Sequence, residues 1–123
     1  MSDTTSDDRD LDDLVAQWLP LPDVAERLGT DVSRVRRMID DRLLLAVRRG
    51  ERNVLSVPVE LVDPAPMPEL PGTLTLLADA GFRPEEMARW LFTPDDSLPG
   101  TPVAALRAGR KTEVRRRAQT LAF

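Results

Sequence analysis

Residues 19–52 read "LPLPDVAERLGTDVSRVRRMIDDRLLLAVRRGER" and hold eight arginines, although the whole chain of 123 residues carries a formal net charge of −4. Inside that stretch "LPDVAERLG" has the form of a short helix. Pro22 suits a first turn, Val24, Ala25 and Leu28 recur at three- and four-residue spacing, and Gly29 can end the helix in the left-handed conformation. Across the turn "GTD" a second helix is expected to start with Thr30 or Asp31 as its cap, placing Val32, Val35, Met38 and Ile39 on one face. Ser33, Arg34, Arg36 and Arg37 then lie off that face. Two short helices joined by a tight glycine-containing turn, the second carrying exposed polar residues, make a helix-turn-helix pattern, and the second helix is the candidate for a DNA major groove.

The stretch that follows, "LLLAVRRGERNVLSVP", sets two apolar runs around a charged turn with a glycine and predicts a hairpin. Directly after a recognition helix such a hairpin is a wing. Arg48, Arg49 and Arg52 at its tip are expected to face phosphates or the adjacent minor groove, while Arg34, Arg36 and Arg37 read the bases.

The net charge averages over segments of opposite sign. Residues 1–26 set eight acidic side chains against one arginine, whereas residues 27–52 set eight basic against four acidic, an excess of +4. Residues 53–106 are acidic again, and residues 107–123 carry six basic side chains and one acidic, an excess of +5. Two basic islands in an acidic background point to a polyanionic partner, here double-stranded DNA.

Composition narrows the alternatives. There is no cysteine, histidine or tyrosine, so disulfides, thiolate metal sites and the commonest general base are all missing, and no cofactor or metal site and no enzymatic role are expected. No apolar run approaches the length that spans a bilayer and the first residues do not resemble a signal peptide, so a cytoplasmic location is expected. "DDRDLDD" lacks the alternation and central glycine of a calcium loop and reads as part of a disordered acidic tail, assigned to residues 1–17. Asp95 and Asp96 read as turn residues rather than a catalytic pair, and Trp18 and Trp90 as core anchors.

The winged unit is assigned to residues 18–62. Residues 63–72, "DPAPMPELPG", hold four of the eleven prolines and read as a linker. Residues 73–123 read as a helical lobe: "TLTLLADAGF" stopped by Gly81, "RPEEMARWLF" with Pro84 in its first turn, "TPVAALRAG" capped by Thr101, and "TEVRRRAQTLAF" opened by Thr112 and Glu113. The fold class is therefore mainly α with a small β-wing. A coiled-coil dimer is not expected, since no leucine heptad is present.

The order "LPDVAERLG", "VSRVRRMI", "LLAVRRG", a proline linker, "LPGTLTLLADAGF", "MARWLFTPDDSL", "ALRAG" and "EVRRRAQTLAF" resembles the actinobacterial family of small winged-helix DNA-binding proteins whose mycobacterial member is a serine/threonine-kinase substrate. The resemblance covers nearly everything after about residue 18, and "RWLFTPDDSL" with "VRRRAQ" is its most specific part. It implies DNA binding in transcription regulation, an added helical lobe and a kinase-modified threonine in the N-terminal tail, for which Thr4 and Thr5 are candidates by position. The segment "WLFTPDDSLPGTPVAALRAG" also resembles the toxin-binding lobe of Xre/MbcA/ParS antitoxins, which implies a protein partner there instead. In that comparison Asp95 stands where asparagine is usual and Pro99 interrupts a glycine pair.

Overall fold

The computed structural model describes residues 11–98 and 100–121. After a helical segment at 11–14 the chain runs through β1 (Trp18–Pro20), α1 (Leu21–Leu28), α2 (Val32–Asp40), β2 (Val47–Arg49), β3 (Val54–Pro58), a 3₁₀ turn (Val59–Leu61), α3 (Leu70–Asp79), α4 (Pro84–Phe92), α5 (Pro102–Arg107) and α6 (Lys111–Thr120). The strands form an antiparallel sheet in the order β1-β3-β2, with Leu19 opposite Val57 and Arg48 opposite Leu55.

The helix-turn-helix follows from local chemistry. Pro22 occupies the first turn of α1, where its missing N–H costs nothing. Gly29 closes the helix at φ 70°, and the Thr30 N–H donates back to the Ala25 carbonyl at 2.9 Å, satisfying a carbonyl that the helix end leaves open. Asp31, one of the two expected caps, then accepts from the Arg34 N–H at 2.8 Å and starts α2. Of the predicted apolar face of α2, Val35 is fully buried, and Val32, Met38 and Ile39 pack partly buried against the core.

Both lobes share that core. Leu11, Val24, Val35, Val57 and Leu61 join Leu77, Leu91 and Val114 in one buried cluster. Leu91 is fully buried, as the pattern of α4 predicts, but Trp90 is only half-buried at the margin of the core.

Residues 11–17 depart from the acidic tail assigned to 1–17. Leu11 and Val15 are 0% and 1% exposed, the Val15 N–H donates to the Leu11 carbonyl at 2.8 Å, and β1 already contains Trp18. Two buried apolar side chains one helical turn apart outweigh the carboxylates between them, so residues 11–17 belong to the folded unit. Thr4 and Thr5 lie outside the described residues.

The linker also contracts, because α3 begins at Leu70 with a proline in its first turn, inside the stretch assigned to the linker. What remains is held in place: Met67 is buried, the Arg107 guanidinium donates to the carbonyls of Ala65 (2.5 Å), Glu60 (2.6 Å) and Asp63 (3.1 Å), and Arg27 pairs with the Asp63 carboxylate. In α6 the first helical residue is Lys111, one position before the expected Thr112.

Candidate nucleic-acid interface

Ser33, Arg34, Arg36 and Arg37 are all exposed on α2. Taking Val35 as the inward direction, a step of about 100° per residue puts Ser33 and Arg37 on the outer crest and Arg34 and Arg36 on opposite flanks. Arg36 is on the flank that meets the wing. With Arg48 of β2 it lines an open cleft of about 350 Å³ whose other walls include Pro20, Pro22, Val32 and Asn53. The recognition helix and the wing thus present one continuous surface.

The wing itself is a hairpin with a turn at 50–53. Gly50 has φ 77° and Asn53 φ 51°, left-handed conformations that glycine and asparagine adopt more readily than other residues. The Arg48 guanidinium donates to the Asn53 carbonyl at 3.1 Å and so is held over the cleft. Arg52 is exposed in the turn.

Arg49 departs from the expectation that all three wing arginines face the nucleic acid. Its side chain is 8% exposed, lies over the Trp18 ring at 4.8 Å from the centroid, and forms an ion pair with Asp12. The cause is the pleat. Alternate residues of a strand share a face, Val47 is 3% exposed on the core side, and Arg49 must follow it inward while Arg48 points out. Trp18 packs half-buried against the core, as expected, and its ring is also the surface on which Arg49 rests.

Charge pairing separates these arginines from most other basic side chains, although Arg115 and Arg116 of α6 are likewise exposed and without a carboxylate partner among the described residues. Among the described residues, Arg34, Arg36, Arg37, Arg48 and Arg52 have no carboxylate partner. Arg27, Arg42, Arg110, Lys111 and Arg117 each have one, Arg83 has two, and Arg107 is engaged by backbone carbonyls. An exposed guanidinium without a carboxylate partner keeps its donors available to phosphate or to guanine O6 and N7, apart from the one that Arg48 gives to the Asn53 carbonyl.

Elsewhere, Asp95 behaves as the turn residue that its sequence context predicts. It accepts from the Ser97 N–H (2.9 Å) and hydroxyl (2.7 Å) and from Arg117 Nε (2.8 Å). These bonds, Ser97 first and Arg117 next, lower its pKa from 3.8 to about 2. Among the described residues no group of acidic side chains is placed to hold a metal ion, and no helix is long and apolar enough to cross a membrane. Pro20, Pro22 and Asn53 on the cleft wall were not read as site residues from sequence; the signal for Asn53 was its place at the end of a hairpin turn.

Two family models match the chain. Residues 6–62 match one described as "DNA-binding protein Rv2175c, wHTH domain", and residues 67–122 match one described as "Rv2175c C-terminal domain of unknown function". The chain is similar to the "DNA-binding protein Rv2175c" of Mycobacterium tuberculosis, at 42% identity over 115 residues, covering 84% of this chain and 79% of that protein. Its fold is similar to the NMR structure of Rv2175c, with a TM-score of 0.77 at 39% identity, covering 87% of this chain and 82% of that one.

Proposed function

Because the chain belongs to the Rv2175c family of winged helix-turn-helix proteins, we propose that it binds double-stranded DNA as a transcription regulator, with α2 in the major groove and the β2–β3 wing on the flanking phosphates. The observation that carries this reading is that Arg34, Arg36, Arg37, Arg48 and Arg52 are exposed on α2 and the wing without carboxylate partners among the described residues, with Arg36 and Arg48 lining one shared cleft. Arg34, Arg36 and Arg37, with Ser33, supply base readout from the helix. Arg48 and Arg52 supply phosphate attraction, and Arg49 does not contact DNA directly.

The test is binding to pooled genomic fragments across a salt series. Each phosphate contact contributes about −0.9 to the log–log salt slope, so the contacts of Arg48 and Arg52 alone predict a loss of roughly one decade in affinity between about 50 and 200 mM salt, and each further phosphate contact adds about half a decade. Binding that ignores salt would refute the reading.

We further propose that the acidic residues upstream of Leu11 oppose DNA binding by competing for the same arginines, a competition that phosphorylation of Thr4 or Thr5 by a serine/threonine kinase would increase by adding about −1.5 to −2 charges. The ion pair between Asp12 and Arg49 supports this, since it anchors the downstream end of that segment beside the wing. Deleting residues 2–10 is expected to tighten DNA binding most at low salt, where screening is weakest. Unchanged affinity at both low and moderate salt would remove the tail from the account.

A further inference from the structure

We propose that Asp12, Trp18 and Arg49 form a clamp that fixes the position of the wing, so that the N-terminal segment controls how Arg48 and Arg52 are presented without itself touching DNA. The proposal rests on the DNA-binding reading above. It starts from the weakness of β2, a three-residue strand at the edge of the sheet, paired among the described residues only with β3. A short hairpin on one such edge is marginal on its own and needs packing to hold its direction.

Arg49 supplies that packing. Trp18 sits on β1 and Arg49 on β2, the two edge strands, so their contact passes across the face of the central β3 and braces both edges at once. A planar guanidinium can stack on an indole face and still direct N–H donors outward from its rim, which a lysine ammonium cannot do. Asp12 takes one of those donors from the helical segment at 11–14, whose Leu11 is fully buried and therefore fixed in place. The Asp12 side chain stays 64% exposed against 8% for Arg49, so the clamp closes at the protein surface, where its outer half meets solvent. Arg48 is the next residue along the strand and points to the opposite face. A rotation of β2 that releases Arg49 must therefore carry Arg48 out of the cleft it shares with Arg36.

Three single variants test the clamp: Arg49→Met, which keeps bulk over the indole but removes the charge, Asp12→Asn, and the conservative Asp12→Glu. Amide hydrogen exchange of residues 50–53 is followed in the free protein, and DNA affinity is measured over a salt series with Arg37→Ala as a direct-contact control. In Arg49→Met the wing amides are expected to exchange about tenfold faster, in line with local opening of a loosened hairpin. Affinity should drop about three- to tenfold, with a salt slope flatter by about one because the phosphate contact of Arg48 is lost. Asp12→Asn should move both readouts in the same direction by less, and Asp12→Glu should restore them. The proposal is overturned if wing exchange and salt slope stay at wild-type values in both Arg49→Met and Asp12→Asn, or if affinity falls while the slope does not change. Should the wild-type protein fail to bind DNA at all, the function proposed above fails by itself, and hydrogen exchange in the free protein still decides whether the clamp holds the wing.

Discussion

Residues 27–52 and residues 107–123 carry almost equal excesses of positive charge, +4 and +5, yet the fold uses them in opposite ways. In the first island the recognition helix and wing hold five arginines in solvent with no carboxylate partner among the described residues, and two of them, Arg36 and Arg48, share one cleft. In the second, Arg107 binds the interlobe carbonyls, Arg110 pairs with Glu113, Lys111 with Glu69, and Arg117 with Asp95. Arg115 and Arg116 remain, but they line separate clefts on different sides of α6. Segment charge thus does not identify a binding surface; what matters is whether the charges are already satisfied within the fold.

Under the proposed function, the first island acts on DNA and the C-terminal lobe on stability. Leu91→Ala removes a fully buried side chain from the shared core and is expected to cost about 2–5 kcal/mol in thermal or urea unfolding. Trp90→Ala should cost clearly less, because its ring is only half-buried. A reversed order would mean that the half-buried tryptophan holds the lobe.

Next in size, Arg36→Ala or Arg37→Ala should weaken specific DNA binding by about 1–3 kcal/mol, while Arg48→Ala or Arg52→Ala should weaken all sequences alike and flatten the salt slope by about one. The double variant Arg115→Ala/Arg116→Ala, measured in the same titration, should leave affinity within about twofold, since it removes no more than screened, long-range attraction. Equal losses from the two islands would break the comparison outright. Removing the helix cap with Asp31→Ala, a loss of about 0.5–2 kcal/mol of stability, should weaken DNA binding only through fraying of the first turn of α2.

The smallest expected effect lies in acid. Asp95 titrates lower in the folded protein, about 2 against 3.8, so its contribution to stability is complete above the unfolded value and disappears as the pH falls from 3.8 toward 2. Thermal unfolding of wild type and Asp95→Asn should therefore run parallel above about pH 5 and converge below it. Curves that stay parallel throughout would show that Asp95 is not tied to Ser97 and Arg117 in solution.

Much of the winged unit was legible because local rules agree with one another there. Gly29, Asp31 and the apolar spacing of α2 all specify the same two helices, and "RRGERN" between apolar runs specifies the hairpin. The misread positions are those where composition hid a regular pattern. Carboxylates between Leu11 and Val15 concealed a four-residue apolar spacing, and the prolines of residues 63–72 concealed that a proline at the start of α3 favours a helix. Arg49 was misplaced because its charge was given more weight than the pleat, although Val47 two residues earlier already fixed its face. The contact with Trp18 and the ion pair with Asp12 were beyond reach, since both depend on elements that meet only in the folded chain.

The grip of Arg107 on the carbonyls of Glu60, Asp63 and Ala65 has a consequence for how the protein can be cut and recombined. A protease must draw several residues of backbone into its own active site as an extended strand, and here those residues are bound to the far lobe. The proline segment is therefore a poor place to nick the molecule, despite looking like a connector. A winged unit moved into another protein without its partner helix α5 would leave behind the guanidinium that fixes its C-terminal end. The two lobes can be told apart by sequence, yet they must be exchanged together.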